Sequence, residues 1–277
     1  MKKIYVYSPQ SKTGKTTIAN DIALNLSKKY LTCLIECNRY TAYSIYLNDK
    51  VKEQQKSLTN VYNNLEVSEQ LIQSKHSEKF FFLSKNITDE LLDLYNINSE
   101  VYYKMMDYLE KHFEYIIIDL PSNYIEKMLI DSISLITKED YLVIILDENL
   151  QTYKLLKDYD NYFNSILLDV NPEKLFYIKN KSNGFLETKT AENILNSLSL
   201  LKSEYKLLEM PYIKEFTLYG NEGKSILNSP GTKKEKQYIK MVQEGCNIIL
   251  EKDSNYSKTN KKQKTKKGFF SFFKNRN

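Results

Sequence analysis

This sequence predicts an α/β fold: a mostly parallel sheet with helices on both faces. Three observations carry that reading. Short apolar runs recur without polar alternation, as strands covered on both faces do. Stretches with helical spacing separate them. The segment SPQSKTGKTT, Ser8–Thr17, falls between the first such strand and the first helix, where a phosphate-binding turn would lie. With 277 residues, 42% of them apolar, the chain can bury a sizeable core.

The elements follow in order. Lys3–Tyr7 (KIYVY) reads as a strand, Thr16–Tyr30 as a helix with Ile18, Ile22 and Leu26 on one face, and Leu31–Cys37 as a second strand. After a polar middle, Lys79–Ser84 is a strand and Ser99–His112 a helix. Tyr115–Leu120 (YIIIDL) is a buried strand ending in Asp119 and Pro121. A helix around Ile125–Thr137, a strand at Tyr141–Leu146 and helical patterns at Gln151–Ile166 and Thr188–Leu195 come next, with a strand at Lys174–Ile178 between those two helices. Lys206–Met210 is a last short strand, and a helix near Thr232–Leu250 closes the body. About seven or eight strands result, in one domain over residues 1–251. Residues 252–267 read as a disordered basic linker, and 268–277 (GFFSFFKNRN) as a separate amphipathic segment.

Charge is divided unevenly. The net charge is +5, yet the last twenty residues hold eight Lys and Arg and no acid, so residues 1–257 sum to −3. An acidic body argues against a protein that coats nucleic acid. Cys33, Cys37 and Cys246 have neither disulfide nor metal-ligand spacing and read as buried thiols. No secretory signal and no membrane-length apolar run is visible, which suits a reducing cytoplasm. The 23 tyrosines are treated as compositional bias.

A phosphate loop works because backbone N–H groups and a helix N-terminus converge on the phosphates, while a lysine adds charge and a Ser or Thr hydroxyl holds Mg²⁺. Here Gly14 permits close approach, Lys15 is the cation and Thr16 opens the helix. The strict GxxxxGK[ST] pattern fails, since its first position is Pro9. Asp119, ending a buried strand, is placed to hold a metal-bound water.

SPQSKTGKTTIANDIALNL, LIEC, FEYIIIDLP and MPYIKEFTLYGNEGKSI, taken together, resemble the MinD/ParA group of deviant P-loop ATPases over about residues 2–250. That group's loop reads KGGxGKT[ST], its metal-binding strand end DxPP, and a late segment N[EQ]GKP. Gly14-Lys15-Thr16-Thr17, Asp119-Leu120-Pro121 and Asn221-Glu222-Gly223-Lys224-Ser225 stand at those positions. The resemblance implies a P-loop NTPase fold, ATP and Mg²⁺ as ligands, slow hydrolysis and an ATP-dependent homodimer. It assigns Ser11, Lys12, Thr13, Gly14, Lys15, Thr16 and Thr17 to the phosphate cradle, Thr16 and (through water) Asp119 to the metal, and Asn180 and Pro211 to the base. Lys15 and Asp119 are its catalytic positions.

The departures point one way. Gln10 falls where the group has a signature lysine that reaches the partner's phosphates, and Ser11 and Lys12 replace two loop glycines. Glu36 and Asn38 replace an Asp-x-Asp pair, and the amide of Asn38 cannot accept a proton. Binding is therefore expected to survive better than turnover.

The tail places Phe269, Phe270 and Phe273 on one helical face with Phe272 beside them, flanked by Lys266, Lys267, Lys274 and Arg276. Aromatics at the headgroup boundary beside basic residues suit an anionic membrane surface, and MinD-like proteins end in a comparable helix. The expected role is an ATP-binding, dimerising switch or scaffold at the inner face of the cell membrane. It would position envelope, pilus or secretion machinery, as in the TadZ/CpaE-like branch, with weak or lost hydrolysis. The alternatives are a DNA-partitioning ParA-like ATPase, a bacterial tyrosine kinase of related fold, and a nucleotide-free scaffold.

Overall fold

Apolar strand residues that alternate between two buried faces account for the architecture, seen here in a computed structural model that describes residues 1–37, 56–63, 65–85, 98–122, 127–166, 174–198, 206–216, 225–228 and 230–257. The first half runs β1 (Lys2–Tyr7), α1 (Lys15–Ser27), β2 (Thr32–Glu36), α2 (Leu58–Tyr62), α3 (Val67–Gln70), β3 (Ile72–Gln73), β4 (Phe80–Leu83) and α4 (Ser99–His112). The second runs β5 (Tyr115–Asp119), α5 (Lys127–Ser134), β6 (Tyr141–Leu146), α6 (Leu150–Ile166), β7 (Leu175–Ser182), α7 (Thr188–Leu195), β8 (Lys206–Pro211) and α8 (Lys233–Ser257).

The strands form one eight-stranded sheet in the order β3-β4-β2-β5-β1-β6-β7-β8. Every pairing is parallel except β3 with β4. Side chains alternate across the sheet. Tyr5, Ile35, Phe81, Ile118 and Ile144 pack with Met105, Leu129, Tyr153 and Ala191 of α4, α5, α6 and α7. Val6, Leu34, Phe82, Ile117 and Val143 pack on the other face with Ile18 and Ile22 of α1 and Val242 and Ile249 of α8. Two helical layers thus cover the sheet, as the unbroken apolar strands predict. The cysteines Cys33, Cys37 and Cys246 are free and buried.

The structure adds to the sequence reading in three places. The polar middle contains α2, α3 and the antiparallel edge strand β3, all too short to leave a periodic signal. β7 continues four residues past Ile178, through Lys179–Ser182, because charged side chains there find partners at the sheet's edge. α8 runs to Ser257, so residues 252–257, expected to be linker, are helical. That stretch has no Gly or Pro, and an existing helix extends at little cost through such residues.

α1 and α8 share a buried polar contact. The Tyr238 hydroxyl donates to Asp21 Oδ2 at 2.7 Å. Burial pushes the Asp21 carboxyl up to about 7, although the Tyr238 hydrogen bond works in the opposite direction. A carboxyl whose folded pKa exceeds its unfolded value of about 3.9 holds its proton more tightly in the native state. Its contribution to stability is complete below the unfolded pKa and is lost as pH rises through about 7. Urea unfolding across that window should show stability falling as pH rises, with a shallower fall in Asp21→Asn. Identical slopes would contradict the assignment.

Candidate functional site

The turn from Ser8 to Gly14 links the end of β1 to the start of α1. Inside it, Thr13 Oγ1 donates to Ser8 Oγ at 3.0 Å, and the Gln10 N–H lies 3.4 Å from the same oxygen. Lys12 and Gly14 take left-handed backbone, with φ of 64° and 90°. Gly14 caps the N-terminus of α1. The left-handed backbone favours glycine there, and a Cβ on Gly14 would come 2.3 Å from Asn180 Nδ2 and displace that amide.

Parallel register sets the partner of this turn. Asp119 at the end of β5 lies beside Val6 of β1 on one side and Glu36 of β2 on the other. The C-terminal ends of three strands therefore meet where α1 begins. Lys15 Nζ reaches Asp119 Oδ1 at 2.5 Å, and Thr16 Oγ1 donates to Oδ2 at 2.6 Å. The Lys15 and Asp119 side chains are 6% and 0% exposed, so this is a buried ion pair. GKT and the distant Asp119 form one cluster.

A second strand end braces the turn from the other side. Asn180 Nδ2 donates to the Thr13 carbonyl at 2.7 Å, and Lys181 Nζ donates to the Lys12 carbonyl. In a trans peptide the N–H points opposite to the C=O. These two contacts turn the N–H groups of Thr13 and Gly14 away from β7. The loop after β7 is itself fixed by Glu148. That carboxylate accepts from the backbone N–H groups of Asn183, Gly184 and Phe185 at 2.9, 3.0 and 3.3 Å, and from the Ser182 hydroxyl at 3.1 Å. Burial alone would raise its pKa, but these donors hold the carboxyl below the usual range. Buried Lys179 joins Glu148 at 3.4 Å and Glu209 at 2.8 Å. Phe185, at the tip, is 87% exposed.

Gln10 faces inward along the same edge. The Thr152 hydroxyl lies 2.7 Å from both Gln10 Oε1 and Asp147 Oδ1, and its single proton serves one acceptor at a time. The position that the resemblance gives to a partner-reaching lysine is thus held within its own subunit. Ser11 and Lys12 are exposed, Thr13 is buried, and Thr17 is half-buried in the first turn of α1. Pro211 ends β8 opposite Ser182, and the next N–H, of Tyr212, donates to Ser182 O at 3.0 Å. Asn38, residues 221–224, Lys266, Lys267, Phe269, Phe270, Phe272 and Phe273 lie outside the described residues.

Sequence reasoning did not single out Asp147, Glu148, Thr152, Lys179, Lys181 or Glu209. One signal was available. The apolar strands YLVIIL and LFYI both run directly into charged residues, at Asp147-Glu148 and at Lys179, and parallel strands bring such ends together.

Thr16 and Asp119 supply hard oxygen atoms side by side, and among the described residues no group of three His, Cys, Asp or Glu could form a cage. Mg²⁺ suits such a set, since it keeps several waters and takes others of its ligands from phosphate.

A parallel sheet with a loop and helix after β1, a Lys-Thr pair at that helix's start and an aspartate on the adjacent strand define the P-loop nucleotide-hydrolase fold in its MinD/ParA form. Solved structures bear out the fold. A chain of the MinC:MinD cell division protein complex of Aquifex aeolicus shares 16% identity over 88% of this chain and 95% of that one, with a TM-score of 0.68. A plasmid partition protein of Borrelia burgdorferi B31 bound to AMPPNP shares 17% over 91% and 99%, also at 0.68. The septum site-determining protein MinD of Pyrococcus horikoshii OT3, complexed with Mg-ADP, shares 12% over 88% and 95%, at 0.68. At these identities the likeness is one of fold. No family model matches the sequence, and no curated protein matches it.

Removing one member of a buried ion pair strands the other charge, at a cost of about 3–5 kcal/mol. Asp119→Ala should therefore destabilise the ligand-free protein by about that amount, and adding Lys15→Met should recover much of the loss. Urea unfolding of both variants measures this; an Asp119→Ala variant as stable as the parent would contradict the buried pairing.

Proposed function

We propose that the chain is an ATP-binding positioning protein of the MinD/ParA kind, a switch or scaffold whose hydrolysis is weak or lost. The supporting observation is the Lys15–Asp119–Thr16 cluster at the head of α1, in a fold shared with proteins solved with AMPPNP and Mg-ADP. A triphosphate entering the turn meets the N-terminus of α1, and Lys15 leaves Asp119 to reach it. Asp119 and Thr16 would hold hydrated Mg²⁺, which would supply charge neutralisation of the phosphates. Asn180 and Pro211 flank the region assigned to the base.

Weak turnover follows from the residues around this cradle. Gln10 is tied toward Thr152 rather than carrying a cation outward. Glu36, buried at the end of β2, and Asn38 offer no aspartate pair to orient an attacking water. Binding depends on the cradle alone, whereas hydrolysis needs positioned charge in the transition state.

The rest of the proposal concerns location and partners. The protein acts as a homodimer at the inner face of the cell membrane, held there by Phe269, Phe270, Phe272, Phe273, Lys266 and Lys267, and it positions an envelope, pilus or secretion assembly. No helix among the described residues is long and apolar enough to cross a membrane. Two weak tails on one dimer gain avidity that one lacks. The −3 charge of residues 1–257 disfavours the DNA-partitioning alternative.

Calorimetric titration with ATP and Mg²⁺ should show binding that Lys15→Ala abolishes; equal heats from parent and variant would remove the site. Deleting residues 267–277 should release the protein from vesicles containing anionic lipid in a sedimentation assay, with ATP strengthening binding of the intact chain only. Persistent, salt-independent sedimentation of the truncated protein would rule out the anchor.

A further inference from the structure

The face of the sheet covered by α4 carries hydroxyl groups that its apolar surroundings do not satisfy. Tyr5 of β1 and Tyr102 of α4 are fully buried. Tyr62 of α2 is half-buried, but its hydroxyl oxygen is shut away from solvent. Among the described residues, the hydroxyls of Tyr5 and Tyr62 meet no hydrogen-bond partner. Tyr102 is engaged on one side: its hydroxyl lies 2.7 Å from Ser132 Oγ, whose own proton goes to the Met128 carbonyl at 2.6 Å. Tyr102 is therefore the donor of that pair, and its oxygen can still accept.

The three phenols are neighbours. Burial pushes the Tyr5 phenol up, and Tyr102 adds more to that shift than any other group. Burial also pushes up the Tyr62 phenol, with Cys37 and Tyr102 next in effect. Tyr102 itself is raised by burial, so all three keep their protons at neutral pH. Tyr102 is thus close enough to act on both hydroxyls, yet neither bonds to it. Two buried donors left unsatisfied would be costly, and a polar gap wider than one hydrogen bond suits a bridging water. The guest has to accept from two phenols and donate to a third, which neither a bare cation nor a bare anion can do. Asp131, which also acts on Tyr62 and Tyr102, is already paired with Lys127 at 2.8 Å. We propose that ordered water is bound between the sheet and α4, accepting from Tyr5 and Tyr62 and donating to Tyr102. This site lies on the opposite face of the sheet from the Lys15–Asp119 pair, and it does not depend on the nucleotide reading.

Thermal unfolding of the full-length parent, Tyr5→Phe, Tyr62→Phe and the double variant tests this. Each substitution keeps the ring and removes only the hydroxyl, so all four proteins should fold. If the two phenols share water, each single change should lower Tm by about 2–4 °C. The double change should then lower it by clearly less than the sum, because the second donor has already lost its partner. A single variant at or above the parent's Tm overturns the proposal, since deleting a dry, unpaired hydroxyl relieves a penalty. Additive losses overturn it too, because the hydroxyls would then have separate partners. A crystal structure of the parent should place water about 2.8 Å from the three oxygens; phenols bonded directly to one another would rule it out.

Discussion

Asp119 is the point on which the molecule turns. A buried carboxylate is tolerable only with donors around it, and here the donors come from the first turn of α1, through Lys15 and Thr16. The pairing ties a loop near the N-terminus to a strand more than a hundred residues later. It also requires β5 to lie beside β1, because only parallel register brings Val6 and Asp119 level. Sheet order, loop position and charge balance are thus one constraint seen three ways. An anion that drew Lys15 away would leave Asp119 in need of another cation, so the entry of negative and positive charge at this point is coupled.

The loop lacks the glycines that usually let such turns fold tightly, and the structure holds it from outside instead. Ser11 and Lys12 are exposed, so their side chains meet solvent, although Lys12 keeps a left-handed backbone that glycine would adopt more easily. Asn180 and Lys181 hold the carbonyls of Thr13 and Lys12, and Glu148 and Lys179 hold the strand end that carries them. A shape normally written into the loop's own residues is here distributed over β6, β7 and β8. Burying Lys179 with two glutamates is a weak source of stability, so its clearest effect is to fix where that strand end lies.

Much of this was legible from sequence, for a physical reason. Strands such as YIIID and YLVIIL are apolar on both faces because the fold covers both, and GKTT marks the start of α1 by its chemistry. The spacing of Met105, Leu109 and their neighbours, one helical turn apart, gave α4 its ends. Local signals were silent where structure is set by distant partners. Gln10 and Thr152 are 142 residues apart, and nothing near either one announces their contact. β3 has two residues and exists because β4 offers an edge. The Asn180 amide supports the loop through the Thr13 carbonyl, a contact that strand-end position alone does not reveal.

Gly14 and Asn180 occupy each other's space, and that has an evolutionary consequence. A side chain at position 14 would have to push the amide of residue 180 off the Thr13 carbonyl, and the left-handed backbone opposes it as well. Decay of this pocket in a descendant lineage would meet unequal resistance. Drift is easiest at the outer rim, at Ser11 and Lys12, and hardest at residue 14, where any newcomer also loosens the brace from β7.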